Sequence, residues 1–263
     1  MKISLILPVF NELENLKILV PLIENTLSKS AEDYELIIVD DNSNDGTRDF
    51  INNINSERLV FLERVEKNSL PLSILDGIKA SKNEIVMWMD ADGSMPVEEL
   101  PNLILNKKQN PECVVVGSRF VDGGGYKGQD ANKKLNFFEK FFKIFNSEDS
   151  FLAIYLSIIF NKIIKFLIKS DVNDLTSGFI IAEKKHINYD IFNKAIYGDY
   201  FIYLIADLMI KNIKVLEVGY FCKPRYKGKS KTSTNIIKLF SLSYPYIKAG
   251  ILTRRNVYGK KYI

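Results

Sequence analysis

Short runs that are apolar on both faces recur through the first 117 residues, each followed by a polar turn and then a helical pattern. This alternation constrains the chain more than any other feature. Leu36-Ile37-Ile38-Val39 and Val114-Val115-Val116 have no polar face to offer to water. Strands of that kind are covered on both sides, as parallel strands between two layers of helices are. The pattern predicts strands over Ile3–Val9, Tyr34–Asp40, Arg58–Leu62, Glu84–Met89, Glu112–Gly117 and Val215–Phe221. It predicts helices over Glu12–Lys29, Thr47–Asn55, Leu70–Ser81 and Val97–Lys107. The resulting fold class is α/β, with a doubly wound, mostly parallel sheet.

At 263 residues, 46% of them hydrophobic and 26% charged, the chain can bury a full core, and disorder, collagen and coiled coil are excluded. The simplest organisation is one domain over 1–233 and then a basic, amphipathic C-terminal extension over 234–263. From Lys223 to Ile263 there are eleven Lys or Arg and no acid, whereas residues 1–222 carry 25 basic and 32 acidic residues, a net −7. Such an asymmetry marks either a solvated tail or one that meets something anionic: a phosphate-bearing ligand, a membrane surface or nucleic acid. Nucleic acid would account for the tail but for none of the acidic clusters at the strand ends, so no nucleic-acid partner is expected.

Several classes drop out on residue type. Cys113 and Cys222 cannot build a disulfide framework and suit a reducing compartment. His186 is the only histidine, which excludes a His-rich metal site and leaves the chemistry to carboxylates, Lys and Arg. There is no G-x-G-x-x-G after the first strand and no G-x-x-x-x-G-K-[ST] anywhere, which argues against a dinucleotide enzyme and a P-loop NTPase. Met1 and Lys2 lead straight into Ile3–Val9 without a signal-peptide pattern. No apolar stretch reaches the roughly 18 to 20 residues that a spanning helix needs. The expected location is cytoplasmic, peripheral at the inner membrane face. Phe137, Phe138, Phe141, Phe142 and Phe145 fall on one helical face, which either packs on the body or lies in a membrane interface with Lys140 and Lys143 beside the headgroups.

In doubly wound sheets ligands sit beyond the carboxyl ends of the strands, and the polar clusters fall there. Asn11 and Glu12 come after the first strand, Asp40, Asp41, Asn42 and Ser43 after the second, Asp90 and Asp92 after the fourth, Ser118 and Arg119 after the fifth. Alternation along an extended backbone would point Asp90 and Asp92 the same way, where they can share a hard cation such as Mg²⁺ or Mn²⁺. An ordinary exposed D-x-D turn is the plainer alternative. The segment Arg225-Tyr226-Lys227-Gly228-Lys229-Ser230-Lys231 is either a solvated basic loop or a clamp for a diphosphate. In the clamp, Arg225 offers a fork and Lys231 a point charge.

Six motifs in order, Leu7 to Glu12, Ile38 to Thr47, Met89-Asp90-Ala91-Asp92-Gly93, Gly117-Ser118-Arg119, Asp174-Leu175-Thr176-Ser177-Gly178-Phe179 and Arg225 to Lys231, resemble glycosyltransferase family 2. More narrowly they look like its dolichol-phosphate mannosyltransferase type and the bacterial polyprenyl-phosphate relatives, over about residues 3 to 233. The resemblance implies a GT-A type fold, the nucleotide-diphospho-sugar transferase fold. It implies that Pro8, Phe10, Glu12 and Asp41 line the base and ribose pocket and that Asp90 and Asp92 carry a Mg²⁺ or Mn²⁺ ion on the donor diphosphate. It further implies that Ser118, Arg119, Arg225 and Lys231 meet donor or acceptor phosphates. Three features depart from the type: Ser94 stands where a metal-binding glutamine is usual, the arginine ahead of the helix with Ser157 and Asn161 is absent, and the 122–150 loop is long.

The implied reaction is inverting transfer of a sugar from a nucleoside-diphosphate sugar, of the GDP-mannose or UDP-glucose type, to a polyprenyl or dolichyl monophosphate, with peripheral contact with anionic membrane. An acceptor phosphate has a second pKa near 6 and needs no strong base. The alternative is transfer to a glycan hydroxyl in cell-surface polysaccharide synthesis, for which Asp174 or Asp199 would serve as general base. As a plainer reading, Asp199 is only a helix N-cap. A non-catalytic nucleotide-sugar or membrane-binding module is disfavoured, because both aspartates and the basic loop are present.

Overall fold

A computed structural model describes residues 1–126, 150–227 and 236–259. The chain runs β1 (Lys2–Val9), α1 (Leu13–Ser30), β2 (Asp33–Asp40), α2 (Thr47–Asn52), β3 (Leu59–Glu63), α3 (Leu70–Ala80), β4 (Ile85–Trp88), α4 (Leu100–Gln109), β5 (Val114–Ser118) and β6 (Gly125–Tyr126). It continues with α5 (Ser150–Ile168), β7 (Ile180–Glu183), α6 (Asp190–Lys194), α7 (Tyr200–Ile210), β8 (Val215–Gly219), β9 (Phe221–Cys222) and α8 (Ile236–Gly259). Seven strands form one sheet in the order β3-β2-β1-β4-β7-β5-β8, and β6 pairs with β9 in a separate ladder. The mostly parallel, doubly wound reading holds: β1 is parallel to β2 and β4, β2 to β3, and β5 to β8.

The two-sided apolar runs are explained by the two cores. Along β1, Ile3, Leu5, Leu7 and Val9 meet Leu16, Leu19 and Ile23 of α1 and Leu100, Leu103 and Ile104 of α4. Ile6 points to the other layer, with Ile74, Leu75 and Ile78 of α3 and Phe201, Leu204 and Ile205 of α7. Each fully buried side chain of this kind stabilises the fold by about 1.5–3 kcal/mol. Against a net stability of about 5–15 kcal/mol, neither helical layer is dispensable.

The sheet departs from the sequence reading at β7, where no strand is predicted. Ile180-Ile181-Ala182-Glu183 runs antiparallel between β4 and β5. Four residues are too few to show a period, and the strand exists because two long-range neighbours supply its ladder. The inversion sets where the preceding segment ends up. Ile180 lies opposite Trp88 and Val116, so the beginning of β7, with Asp174 to Phe179 ahead of it, emerges at the carboxyl edge of the parallel strands. A second difference is local. The helix expected over Val97–Lys107 opens as a 3₁₀ turn, Val97–Glu99, before becoming α over Leu100–Gln109. Pro101 sits in its first turn, where a missing N–H has no partner to lose.

The segment Ile236–Gly259 forms α8, packed against α5 and α7. Ala249 and Thr253 are buried there, and the Tyr246 and Phe160 rings meet edge to face with centroids 5.7 Å apart. The phenylalanines of 137–145 and Lys231 lie outside the described residues. Among the described residues no helix is long and apolar enough to cross a membrane. Both cysteines are free, and His186 is buried in a 3₁₀ turn.

Helix α3 approaches β1 and β2 closely at Gly77, where an added Cβ would stand 2.4 Å from Ile6 Cγ2 and 3.2 Å from Val39 Cγ2. Both neighbours are branched and fully buried, so neither can swing away. Gly77→Ala is therefore expected to destabilise the protein by about 1–3 kcal/mol through overpacking, despite the roughly 1 kcal/mol that alanine's helix propensity contributes. Equilibrium urea unfolding, with an unchanged slope and a lower midpoint, is the check.

Candidate active site

The carboxyl ends of β1, β2 and β4 open into one cleft. Pro8, Phe10, Glu12, Asp41, Asp90, Asp92 and Arg225 all line it. The first two loops are locked together before any ligand arrives. Asn11 and Asn42 both take the left-handed conformation, at φ 55 and 64°, which asparagine tolerates better than most residues. The Asn11 N–H donates to Ser43 Oγ at 2.8 Å, and Asn11 Oδ1 accepts from the Asn44 N–H at 2.9 Å. Asp45 accepts from the Leu13 N–H at 2.9 Å, so the second loop satisfies a donor at the start of α1.

Asp41 is held from two sides. Arg64, at the end of β3, is buried and pairs with it, while the Ser69 N–H donates to Asp41 Oδ2 at 2.5 Å and Asn68 Nδ2 to the Asp41 carbonyl at 2.9 Å. Arg64 Nε also donates to Asp76 at 2.9 Å. Burial nevertheless raises the Asp41 carboxyl above its ordinary value, against the opposing pull of Ser69 and Arg64. Arg64 was not among the residues marked in the sequence, although it stands two residues after the predicted strand Arg58–Leu62 and directly after the observed one, Leu59–Glu63.

Asp90 and Asp92 both reach the cleft, but by a turn rather than by extended alternation: Asp92 Oδ1 accepts from the Ser94 N–H at 2.9 Å. Gly93 adopts φ +82°, and a Cβ there would stand 2.5 Å from the Tyr226 ring. The segment after β9 is stitched onto this turn. The Tyr226 N–H donates to the Asp92 carbonyl at 3.1 Å and the Lys223 N–H to the Ser94 carbonyl at 2.9 Å. Arg225 Nη2 lies 3.0 Å from Asp92 Oδ2. The Lys227 N–H donates to Asn15 Oδ1 at 2.9 Å, and Asn15 in turn donates to Glu12. Burial, then the charge of Asp92, pushes the Asp90 pKa up to about 7. A carboxylate raised in this way is short of neighbouring positive charge.

A hard divalent cation fits that shortage. Among the described residues no three His, Cys, Asp or Glu side chains come together as a ligand set. A cation on Asp90 and Asp92 would complete its oxygen shell from ligand phosphates and water, as Mg²⁺ commonly does.

Of the other expected residues that are described, Ser118, Arg119, Asp174 and Asp199 do not line the cleft. Arg119 does not present a free fork to a phosphate: it closes on Asp174, with Nε 2.8 Å from Oδ2, Nη2 2.7 Å from Oδ1 and the Arg119 N–H 3.0 Å from Oδ2. Burial would lower the guanidinium pKa, but Asp174 beside it holds it well above its ordinary range. Asp174 is correspondingly not placed to act as a base. It is 0% exposed and also accepts from the Thr176 N–H at 3.2 Å. Asp199 stands at the N-cap position of α7 without capping it. Its Oδ1 turns back to accept from the Ile196 and Tyr197 N–H groups at 3.0 and 2.7 Å. Ser118 is fully buried and accepts from the Phe120 N–H at 3.2 Å.

The fold also brings other residues to the cleft, three of them from the motif Asp174 to Phe179 that the sequence marked. Thr176, Ser177 and Gly178 reach the cleft from ahead of β7, Tyr197, Tyr200 and Phe201 from the start of α7, and Tyr246 from α8. Tyr200 is fixed from below by the Trp88 indole N–H, which donates to its hydroxyl at 3.1 Å.

Asp90 makes the stability of the protein depend on pH. The folded protein holds a proton on Asp90 between the ordinary carboxylate value of 3.8 and about 7, whereas the unfolded chain has released it. Stability is therefore present below that window and is lost as pH rises through it, at about 1.4 kcal/mol for each unit of difference. Asp90→Asn is expected to melt at higher temperature than the wild type above pH 7 in chelator, and at the same temperature near pH 4. Asp174→Asn would strand a buried guanidinium and is expected to cost about 3–5 kcal/mol in a denaturant titration. A dispensable base would leave the unfolding curve where it is.

Known proteins resemble both the sequence and the architecture. The chain is 30% identical over 234 residues to a dolichol-phosphate mannosyltransferase of Pyrococcus furiosus, covering 88% of this chain and 59% of that protein. It is 36% identical over 142 residues to the poly(ribitol-phosphate) beta-N-acetylglucosaminyltransferase TarP of Staphylococcus aureus, covering 53% of this chain and 41% of that one. It is 29% identical over 115 residues to an undecaprenyl-phosphate 4-deoxy-4-formamido-L-arabinose transferase of Aeromonas hydrophila, covering 43% and 35%. The chain thus spans at most 59% of the length of these curated relatives. Among solved structures, glucosyl-3-phosphoglycerate synthase from Mycobacterium tuberculosis, crystallised with Mn²⁺ and uridine diphosphate, superposes with a TM-score of 0.62 at 14% identity, over 97% of this chain and 80% of that one. That likeness is one of fold, the GT-A type. The profile of glycosyl transferase family 2 matches residues 4–190, and the chain belongs to that family.

Proposed function

We propose that this chain transfers a sugar from a nucleoside-diphosphate sugar, of the GDP-mannose or UDP-glucose type, to a polyprenyl or dolichyl monophosphate, with inversion. The observation that carries the choice of acceptor is that both candidate bases are already engaged, Asp174 by Arg119 and Asp199 by two backbone N–H groups. A hydroxyl acceptor would call for such a base, whereas a phosphate acceptor is largely ionised at neutral pH. The names of the Pyrococcus and Aeromonas relatives support the same acceptor class. That of TarP, a poly(ribitol-phosphate) enzyme, supports the glycan alternative.

In this reading Pro8, Phe10, Glu12 and Asp41 receive the base and ribose, with Arg64 and Ser69 holding Asp41 in place. Asp90 and Asp92 would hold Mg²⁺ or Mn²⁺, which when bound supplies positive charge to the donor diphosphate. Arg225, with Lys231 beyond it, adds charge on the same oxygens, where negative charge grows in the transition state. An oxygen of the acceptor phosphate attacks the anomeric carbon, and the bond from that carbon to the diphosphate breaks with its electron pair leaving on the nucleoside diphosphate. Arg119 and Asp174 position the 174–179 segment without touching the reacting atoms.

Radiolabelled GDP- and UDP-sugars presented with polyprenyl phosphate in detergent test the reading. Label is expected to move into the lipid phase only with Mg²⁺ or Mn²⁺, to fall by about 10²- to 10³-fold in Asp92→Asn, and to stay within about tenfold of wild type in Asp199→Asn. Donor cleavage with no lipid label would contradict it and move the acceptor to a glycan hydroxyl.

A further inference from the structure

The cleft changes character across the sheet. Strand order puts β4, with Asp90 after it, between β1 and β2 on one side and β7 on the other. The side of β1 and β2 carries Glu12 and Asp41. The side of β7 is lined by Thr176, Ser177, Gly178, Gly198, Tyr200 and Tyr246, none of which is charged. Among the described residues that line the cleft Arg225 is the one cation, and it lies 3.0 Å from Asp92 Oδ2. A wall of hydroxyls without a cation of its own suits a neutral ligand group that carries several hydroxyls, and not a phosphate.

Two of these hydroxyls are held in place. The Tyr200 ring stacks on Phe192 with centroids 5.5 Å apart and meets Phe201 edge to face at 6.2 Å. The Trp88 indole N–H donates to its oxygen at 3.1 Å. An indole can only donate, so the phenol accepts that bond and keeps its own proton to give. Its oxygen lies 3.1 Å from where a Cβ on Gly178 would stand. Tyr246 is braced by Phe160, edge to face at 5.7 Å, and a Cβ on Gly198 would overlap its oxygen. The glycine is what lets a hydroxyl of α8 come this far into the cleft. Burial raises both phenols above their ordinary pKa, and the charge of Asp90 adds to it. Both are therefore protonated donors at neutral pH.

We infer that Tyr200 and Tyr246 hydrogen-bond hydroxyls of the sugar being transferred and thereby determine which sugar the cleft accepts. Given the proposed nucleoside-diphosphate sugar donor, on which this assignment rests, the diphosphate lies at Asp90 and the base toward β1 and β2. The sugar is then the part left to lie along the side of β7. A site built to bond a substrate hydroxyl rejects an analogue that lacks it, because its own buried polar group is left unpaired.

Isothermal titration calorimetry with Mg²⁺ and no acceptor separates the sugar from the nucleotide. GDP, UDP, GDP-mannose and UDP-glucose are titrated into the wild type and into Tyr246→Phe, which keeps the ring on Phe160. The wild type is expected to bind one of the two donors. Tyr246→Phe is expected to bind that donor about three- to tenfold more weakly, and its bare nucleoside diphosphate within about twofold of wild type. Deoxy analogues of the donor, each lacking one sugar hydroxyl, name the group that is contacted. One of them is expected to bind the wild type and Tyr246→Phe equally, closing the double-mutant cycle. Gly198→Ala, which displaces the Tyr246 oxygen without removing it, is expected to repeat the split between donor and nucleotide. Tyr200→Phe is expected to do so for a different hydroxyl; if it does not fold with the Trp88 N–H unpaired, the other two variants carry the comparison. Equal weakening of donor and nucleotide in Tyr246→Phe, or no weakening of either, would overturn the assignment and leave the proposed function standing. A wild type that binds neither nucleotide would remove the proposed function and the assignment with it. The expected split together with failed lipid labelling would support the assignment and remove only the acceptor.

Discussion

Two carboxylates one residue apart, Asp90 and Asp92, are held at the end of a buried strand with too little positive charge around them. Much of the surrounding structure answers that constraint. Arg225 pairs with Asp92, and Arg119 stands near enough for its charge to act on Asp90. The chain between Lys223 and Lys227 is tied to the Asp92–Ser94 turn and to Asn15 by four backbone hydrogen bonds or their side-chain equivalents. Gly93 gives the room for Tyr226 to close over the turn. Burial, then the charge of Asp92, keeps the Asp90 carboxyl raised against the pull of Arg225 and Arg119, and two carboxylates clustered in a cleft are oxygen ligands of the kind a hard cation takes. Placing the same two aspartates on an exposed turn would remove both the repulsion and the demand.

The antiparallel β7 supplies the second half of the arrangement. A parallel strand in that place would carry its preceding segment to the far end of the sheet. Its inversion instead delivers Thr176, Ser177 and Gly178 to the cleft, and the fork between Arg119 and Asp174 binds the end of β5 to that segment. A buried ion pair adds little net stability over an apolar pair. Its value here is geometric, because two planar groups joined at two points fix the distance between the elements that carry them.

Much of this was legible in the sequence. Runs apolar on both faces marked the parallel strands, and the rule that ligands gather at carboxyl ends identified Glu12, Asp41, Asp90 and Asp92 together. What the sequence hid has physical causes. β7 is four residues long, and its neighbours in the sheet are about 65 and 95 residues away in the chain, a pairing that no local pattern encodes. Asp174 and Asp199 looked like bases because residue type shows a carboxylate and not what occupies it; only the folded geometry reveals Arg119 on one and two N–H groups on the other. Tyr246 was out of reach because it lies in a segment whose basic charge pointed to a tail, whereas its burial comes from α5 and α7. Arg64 could have been found: it stands just after a strand, at the edge where the other site residues were sought.

We propose that Asp90 and Asp92 hold a divalent cation together with the donor diphosphate. Electron paramagnetic resonance of Mn²⁺ titrated into the protein, with and without GDP or UDP, tests it without any acceptor present. Mn²⁺ is expected to bind more tightly when the nucleotide is present, and this gain is expected to vanish in Asp92→Asn. Equal Mn²⁺ binding by the wild type and the variant in the presence of nucleotide would contradict it.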